Sequence, residues 1–324
     1  MPEALVTTFG IIVGLGMLAL GGDILIRGSV SLAKALRLSP LLIGLTVVAF
    51  GTSAPELIAS VRAAQLGSPG IAVGTIIGSN IANILLILGV AALITPLTAD
   101  MKGFRRDATA LSISALFFAF AVFAGFAGRL WGVVGLMALM VYIIVAYQTG
   151  RNYGAGGVIE AEADFAARNF RLNLATVMDI SLVVAGILIL GFGGDMLVRS
   201  SATAAHGLGL SDTFIGLTVV AIGTSAPELV VSILAAIKRE TDVALGNIIG
   251  SNIFNVLAVL GITSLLVPVP IDRGLATFDI WVMLGATLLL VFTAATHHRI
   301  TRNEGFLLLA AYAAYIGVKL YLTL

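Results

Sequence analysis

The chain is written twice. GLTVVAFGTSAPEL at 44–57 returns as GLTVVAIGTSAPEL at 216–229, and GTIIGSNIANIL at 74–85 returns as GNIIGSNIFNVL at 246–257. Upstream, GGDILIRGS at 21–29 returns as GGDMLVRSS at 193–201. Every pair is offset by 172 residues with no insertion, so the sequence is a duplication and its fold must be two copies of one unit.

Composition says what solvent that unit faces. The chain is 59% hydrophobic and 11% charged, with a mean hydropathy of +1.09, against about 25% charged residues in ordinary soluble domains. A soluble enzyme and a disordered chain are both excluded. A net charge of +1 gives no basic surface for nucleic acid. The absence of cysteine removes disulfides, thiolate zinc sites and cysteine nucleophiles. A membrane span needs ~20 mostly apolar residues. Ten stretches meet this: about 4–26, 39–64, 70–94, 109–127, 130–149, 175–198, 211–236, 242–267, 276–296 and 304–323. MPEALVTT has no basic region ahead of the first apolar run, so that run reads as a span rather than a cleaved signal.

The expected organisation is a first repeat at 1–149, a linker at 150–174 and a second repeat at 175–324. The linker is Gly-rich and carries Glu160, Glu162 and Asp164. Alternate connections hold 13 of the 18 basic residues, among them Arg27, Lys34, Lys102, Lys238 and Arg302. The other side holds Arg62, Arg129, Arg199, Arg273 and Lys319. The basic side is expected to be cytoplasmic, with both termini outside. Five spans per half is an odd number, so the second copy enters the membrane from the opposite face. Charge agrees with this inversion: Lys34 and Arg37 align with His206 and Gly209, whereas Leu66 and Gly67 align with Lys238 and Arg239.

The repeated segments carry the chemistry. Glu56 and Glu228 lie in mid-span, where an ionisable group costs at least ~2.5–3.5 kcal/mol to insert. Two carboxylates supply the hard oxygens and the charge of −2 that suit a calcium ion. Pro55 and Pro227 cannot donate to the carbonyls of Gly51 and Gly223, so each helix should break near GTS and release backbone carbonyls beside the acid. Thr52 and Thr224 stand four residues before the acids, and Ser79 with Asn83 and Ser251 with Asn255 are i, i+4 pairs on the following spans. These neutral oxygens are expected to complete the ligand set. Asn80 and Asn252 point away from that face and read as bridges between helices. Asp23 with Arg27, and Asp195 with Arg199, read as ion pairs within a helix. The 37 glycines let helices approach closely, and His297 and His298 read as solvated surface in a turn.

With GTSAPE and GSN both in duplicate, the chain resembles the cation/calcium antiporter superfamily, and within it the prokaryotic sodium/calcium exchangers. The likeness is strong over about 21–89 and 193–261, whereas spans four, five, nine and ten carry no motif. It implies an all-α polytopic membrane protein. Ten transmembrane helices form two inverted-topology five-helix repeats, and broken helices 2, 3, 7 and 8 form an ion-binding core. Spans one and six slide against that core to open opposite sides. By position, Glu56 and Glu228 coordinate calcium with the carbonyls of Thr52 and Thr224. Sodium uses Ser53, Ser79, Asn83, Ser225, Ser251 and the backbone at Ala49 and Ala221. The implied reaction is several sodium ions for one calcium ion, with no cofactor, no enzymatic activity and no obligate protein partner, in a prokaryotic cell membrane. Potassium-dependent relatives carry Asp where this chain has Asn255, which argues against potassium co-transport. The 150–174 connection is too short for the regulatory calcium-binding loop of animal exchangers.

Three other readings are weighed against this one. A proton/calcium antiporter of the same superfamily would use the same acids. An intramembrane hydrolase fails because Pro55 stands where a nucleophile elbow needs Gly and no mid-span His is present. A cation channel would use similar ligands, but inverted repeats around buried acids favour a carrier.

Overall fold

The computed structural model of the chain describes residues 3–36, 40–67, 69–98, 101–154, 174–207, 221–271, 278–297 and 299–323. Most of the expected linker, the start of the seventh span at 211–220, and His298 lie outside the described residues.

In the first half, α1 (Glu3–Leu36) is followed by α2 (Pro40–Ile43), a π-helical turn at Gly44–Val48, α3 (Ala49–Thr52) and α4 (Ala54–Gln65). Next, α5 (Pro69–Ala82) passes through a π-helical turn at Asn83–Ile87 into α6 (Leu88–Ile94) and β1 (Leu97–Thr98). Then come α7 (Met101–Ala124), β2 (Phe126–Ala127) and α8 (Arg129–Gly154). The second half holds α9 (Leu174–Gly207), α10 (Ala221–Thr224), α11 (Ala226–Ile237) and α12 (Thr241–Phe254). A π-helical turn at Asn255–Leu260 leads into α13 (Gly261–Leu266) and β3 (Val269–Pro270). The chain ends in α14 (Asp279–His297), β4 (Arg299–Ile300) and α15 (Arg302–Thr323).

Among the described residues, seven helices are long and apolar enough to cross a membrane, or eight when the bent pair Leu41–Thr52 and Ala54–Gln65 counts as one span. The stretches expected at 211–236 and 276–296 are represented by the shorter apolar helices Ala226–Ile237 and Asp279–Ala294. Helices run past the hydropathy boundaries: α1 continues ten residues beyond position 26 and α7 starts eight before position 109. Hydropathy marks the hydrocarbon layer, while the helix goes on into the interface, where the Arg27 side chain is 71% exposed.

Burial separates centre from periphery. The most apolar stretches of Ala72–Ile94 and Thr241–Leu266 are 78% and 89% buried, against 28% for Arg129–Thr149 and 11% for Arg302–Tyr321. These two central helices are not broken, contrary to the sequence expectation. Each remains continuous and instead widens into a π-helical turn that begins at Asn83 or Asn255. Among the described residues, the interrupted helices are the GTSAPE helices, where a proline just past the helix start removes a donor. A π-bulge relieves one turn without ending the helix, and such bulges concentrate at functional sites.

On one flank α1 packs along α9. Gly10 lies against Ser200 and Gly28 against Leu182, so the two helices run antiparallel. A Cβ on Gly14 would stand 3.0 Å from the Gly193 carbonyl oxygen, and one on Gly21 would stand 3.1 Å from that of Gly186. These two contacts are the same contact exchanged by the 172-residue repeat, and glycine permits both because a side chain would force the backbones apart. Two small antiparallel sheets also join the halves. Leu97 pairs with Ile300 and Ala127 with Val269, and the repeat carries Leu97 onto Val269.

The outer spans carry no motif, yet each half buries one acid there at the same repeat position. Asp107 is buried and accepts hydrogen bonds from Arg106 (2.6 and 2.9 Å) and Tyr142 (3.2 Å). Its repeat counterpart Asp279 accepts from Tyr315 and Lys319, both at 2.9 Å. Each acid clamps its helix to the next one, α7 to α8 and α14 to α15.

Candidate functional site

Pro55 leaves the Gly51 carbonyl without its helical donor, and the chain answers with a bend. Ser53 turns out of the helix (φ −83°, ψ 3°), α4 starts at Ala54, and the two segments meet at 42°. Ser225 makes the same turn (φ −87°, ψ 7°) ahead of α11. Glu56 and Glu228 therefore fall in the first turn of a new helix, where unpaired N–H groups and the helix dipole favour negative charge. Both acids are completely buried.

The two bends interlock. Ser53 donates to Glu228 Oε1 at 3.1 Å, and Ser225 donates to Glu56 Oε1 at 3.1 Å, so each half's serine caps the other half's acid. Ser79 donates to Glu56 Oε1 at 3.3 Å, and its hydroxyl lies 3.0 Å from that of Ser225. Around Glu228, Thr52 donates to Asn247 Oδ1 at 3.1 Å and lies 3.4 Å from the Ser251 hydroxyl. Close packing of α12 against the second span makes this possible: a Cβ on Gly250 would stand 2.6 Å from the Leu45 carbonyl oxygen.

Several groups lack partners. The Oε2 atoms of Glu56 and Glu228 and the Oδ1 atoms of Asn83 and Asn255 are buried and accept no hydrogen bond. Buried polar atoms are nearly always satisfied, and these four oxygens take only donors or cations. Among the described residues, the ion pairs join Arg27 and Lys238 to Asp23, Arg106 to Asp107, Arg199 to Asp195 and Lys319 to Asp279, and none reaches Glu56 or Glu228. Two acids buried together without a protein cation must be neutralised from outside the chain, by a metal ion or a proton.

The expected residues fare differently. Glu56, Glu228, Thr52, Ser53, Ser79, Ser225 and Ser251 come together as one cluster. Thr224 is buried beside the second bend. The Ala49 carbonyl accepts from the Ser53 N–H at 3.0 Å and lies 3.3 Å from the Thr52 hydroxyl. Ala221 is the first residue of α10, and its side chain lies outside the described residues. The Asn83 amide is buried with no hydrogen bond, while Asn255 donates to Asn80 Oδ1 at 3.5 Å. Asn80 bridges helices as expected, since it also donates to Met283 Sδ. Asn252 does not: its amide bonds back to Ile248 of its own helix at 2.7 Å. Sequence reasoning missed Asn247, which is completely buried and donates to Ser232 Oγ at 3.0 Å and to the Glu228 carbonyl at 3.4 Å. The signal available was that this position, Thr75 in the first copy, departs from an otherwise matched GSN segment.

Comparison with known proteins follows the duplication. The family model described as sodium/calcium exchanger protein matches twice, at residues 6–149 and 178–321. Over 342 residues the chain is 37% identical to the sodium/calcium exchanger MaX1 of Methanosarcina acetivorans, covering 96% of this chain and 98% of that one. It is 33% identical to the inner membrane protein YrbG of Escherichia coli strain K12, covering 98% of each. Among solved structures, it resembles the sodium-calcium exchanger NCX_Mj soaked with sodium and strontium. The TM-score is 0.82 at 32% identity, over 97% of this chain and 98% of that one.

Proposed function

Because this chain belongs to the sodium/calcium exchanger family, a family of transporters rather than enzymes, we propose that it exchanges several sodium ions for one calcium ion, independently of potassium. Glu56 and Glu228 bind calcium with the carbonyls of Thr52 and Thr224. The same acids, with Ser53, Ser79, Ser225, Ser251, Asn83, Asn255 and the carbonyls of Ala49 and Ala221, hold sodium. One observation carries the reading: two serines cross at 3.1 Å to cap the opposite half's acid, while each acid keeps an unpartnered Oε2. A charge of −2 in a dry site matches one divalent ion or a set of monovalent ions, so the two cargoes exclude each other.

Ten spans in two inverted repeats give the movement. The antiparallel run of α1 against α9, with the Gly14–Gly193 and Gly21–Gly186 contacts exchanged by the repeat, supports opposite insertion of the halves. Lys238 reaches Asp23, one turn before Arg27, and β1 pairs with β4. Both contacts join connections on the basic side, which we assign to the cytoplasm. The α1/α9 pair moves past the core, so that exchanging the conformations of two equivalent halves closes one side and opens the other. Asn255 keeps a third formal charge out of the core, which supports operation without potassium.

The test is calcium uptake into proteoliposomes loaded with sodium, with a protonophore present and with or without potassium. The expected result is uptake that follows the sodium gradient and ignores both additions. Uptake that follows the pH gradient and ignores sodium overturns the reading in favour of proton/calcium exchange, and a potassium requirement overturns the potassium-independent form.

A further inference from the structure

We propose that Asn247 is a positioning residue that keeps the Ala49 carbonyl open to sodium, and so sets sodium affinity separately from calcium affinity. The proposal rests on the sodium/calcium reading above. Its starting point is that the orientation of the Asn247 amide is settled by chemistry. The Glu228 backbone carbonyl can only accept, so the group facing it at 3.4 Å must be the Asn247 NH2, which also donates to Ser232 at 3.0 Å. The other end, Oδ1, can only accept, and it faces the Thr52 hydroxyl at 3.1 Å.

Thr52 has one hydroxyl proton, and its two nearest acceptors are Asn247 Oδ1 at 3.1 Å and the Ala49 carbonyl of its own helix at 3.3 Å, with the Ser251 hydroxyl at 3.4 Å and the Glu228 carboxylate beyond them. Back-bonding of a threonine to its own helix is the usual outcome in a membrane span. Here the amide across the interface offers the shorter contact and draws the proton away. One lone pair of the Ala49 carbonyl is already taken by the Ser53 N–H at 3.0 Å. The second is therefore the one that Thr52 and an ion compete for. The amide also orders the next link. With its proton committed to Asn247, Thr52 has only lone pairs to offer the Ser251 hydroxyl at 3.4 Å. The repeat position on the other side is Thr75, which has no amide and so cannot offer an acceptor and two donors at once. The two half-sites are thereby made unequal by one buried side chain.

Replacing Asn247 by Leu keeps the volume and removes the acceptor, which returns the Thr52 proton to Ala49. Two assays read the consequence in the same proteoliposomes: sodium-driven calcium flux, and calcium–calcium exchange in sodium-free buffer. Asn247→Leu should raise half-saturating sodium by about fivefold, the effect of one hydrogen bond, while half-saturating calcium in the sodium-free assay stays within about twofold. Asn247→Thr, which copies Thr75, should shift in the same direction and serves if the leucine variant does not reach the membrane. In Thr52→Val the competing proton is gone, so adding Asn247→Leu to that background should shift sodium dependence little. Equal shifts in sodium and calcium, or no shift, or a full sodium shift in the Thr52→Val background, overturn the proposal. A wild-type protein without sodium-driven flux overturns the sodium/calcium reading and this inference together, which the wild-type control reports before any variant is compared.

Discussion

The two halves place the same glutamate, proline and serine at the same offset, yet they are not equal in the structure. Each acid is capped by the other half's serine, but only the backbone carbonyl of Glu228 is held by a buried amide, that of Asn247; position 75 in the first copy is a threonine. At their ends, the turn after α4 reads Leu66–Gly67 and the turn after α11 reads Lys238–Arg239. On the proposed function, what the halves share is what ion exchange requires of both access states. What they do not share is local: one buried amide, and the charges that tell two faces of a membrane apart.

The shared part carries the largest expected effects. Glu56→Gln and Glu228→Gln should each abolish sodium-driven calcium flux. Loss of a residue that merely orients a metal ligand costs about 10–100-fold, so loss of a ligand charge should cost about 100-fold or more. Size-exclusion profiles should stay unchanged, because glutamine keeps the shape. If only one of the two variants fails, the halves are not equivalent partners in the site. Ser53→Ala and Ser225→Ala come next. Each removes one crossing hydrogen bond to an acid, worth about 1.5–3 kcal/mol when the acceptor is charged. The expected result is a rise of about tenfold or more in half-saturating calcium, similar for both. A large difference between the two would put the functional weight on one bend.

Much of this was legible in the sequence for a physical reason. A carboxylate in mid-span is costly and a proline removes a fixed donor, so Glu56, Pro55 and their copies announce a candidate site and its bend. The ion pairs Asp23–Arg27 (2.7 Å) and Asp195–Arg199 (2.9 Å) follow from helical spacing alone. The rest depends on packing between distant segments. Lys238 joins Asp23 across 215 residues. Asp107 and Asp279 are offset by the repeat, but their partners Tyr142 and Tyr315 are one residue out of register and hidden in apolar sequence. The π-helical turns at Asn83 and Asn255 leave no mark in composition. Asn247 leaves no such mark, because it matters through its difference from Thr75 and not through what the two copies share.

The α1/α9 contact makes a smaller prediction. A Cβ on Gly186 would stand 2.7 Å from the Leu25 nitrogen, a backbone atom that cannot step aside, whereas a Cβ on Gly16 meets nothing within 4 Å. Gly186→Ala should lower thermal stability by about 1–3 kcal/mol through overpacking and slow exchange. Gly16→Ala should be neutral or stabilising by up to about 1 kcal/mol, since alanine is the better helix former. Equal stability of the two variants would mean that the pair is not held at close contact.

The turns make the smallest prediction and explain a conflict between local and global demands. Gly67 adopts φ 75° at the end of α4, and its repeat counterpart Arg239 adopts φ 61° at the end of α11. Both N–H groups bond back into the preceding helix, to Ala64 at 3.2 Å and to Ala236 at 3.1 Å, so the geometry is one helix stop built twice. Glycine is the residue for that conformation, and any other residue costs roughly 1–2 kcal/mol there. Arg239 accepts this strain on the side where the other basic residues gather, which we propose is cytoplasmic and where a positive charge would fix orientation. Arg239→Gly should therefore raise thermal stability by about 1 kcal/mol, and Gly67→Ala should lower it by about as much. In a cell the same Arg239→Gly chain, combined with loss of Lys238, should show a measurable fraction inserted upside down when its faces are labelled. Uniform insertion of that double variant would show that charge at this turn is not what distinguishes the second half from the first.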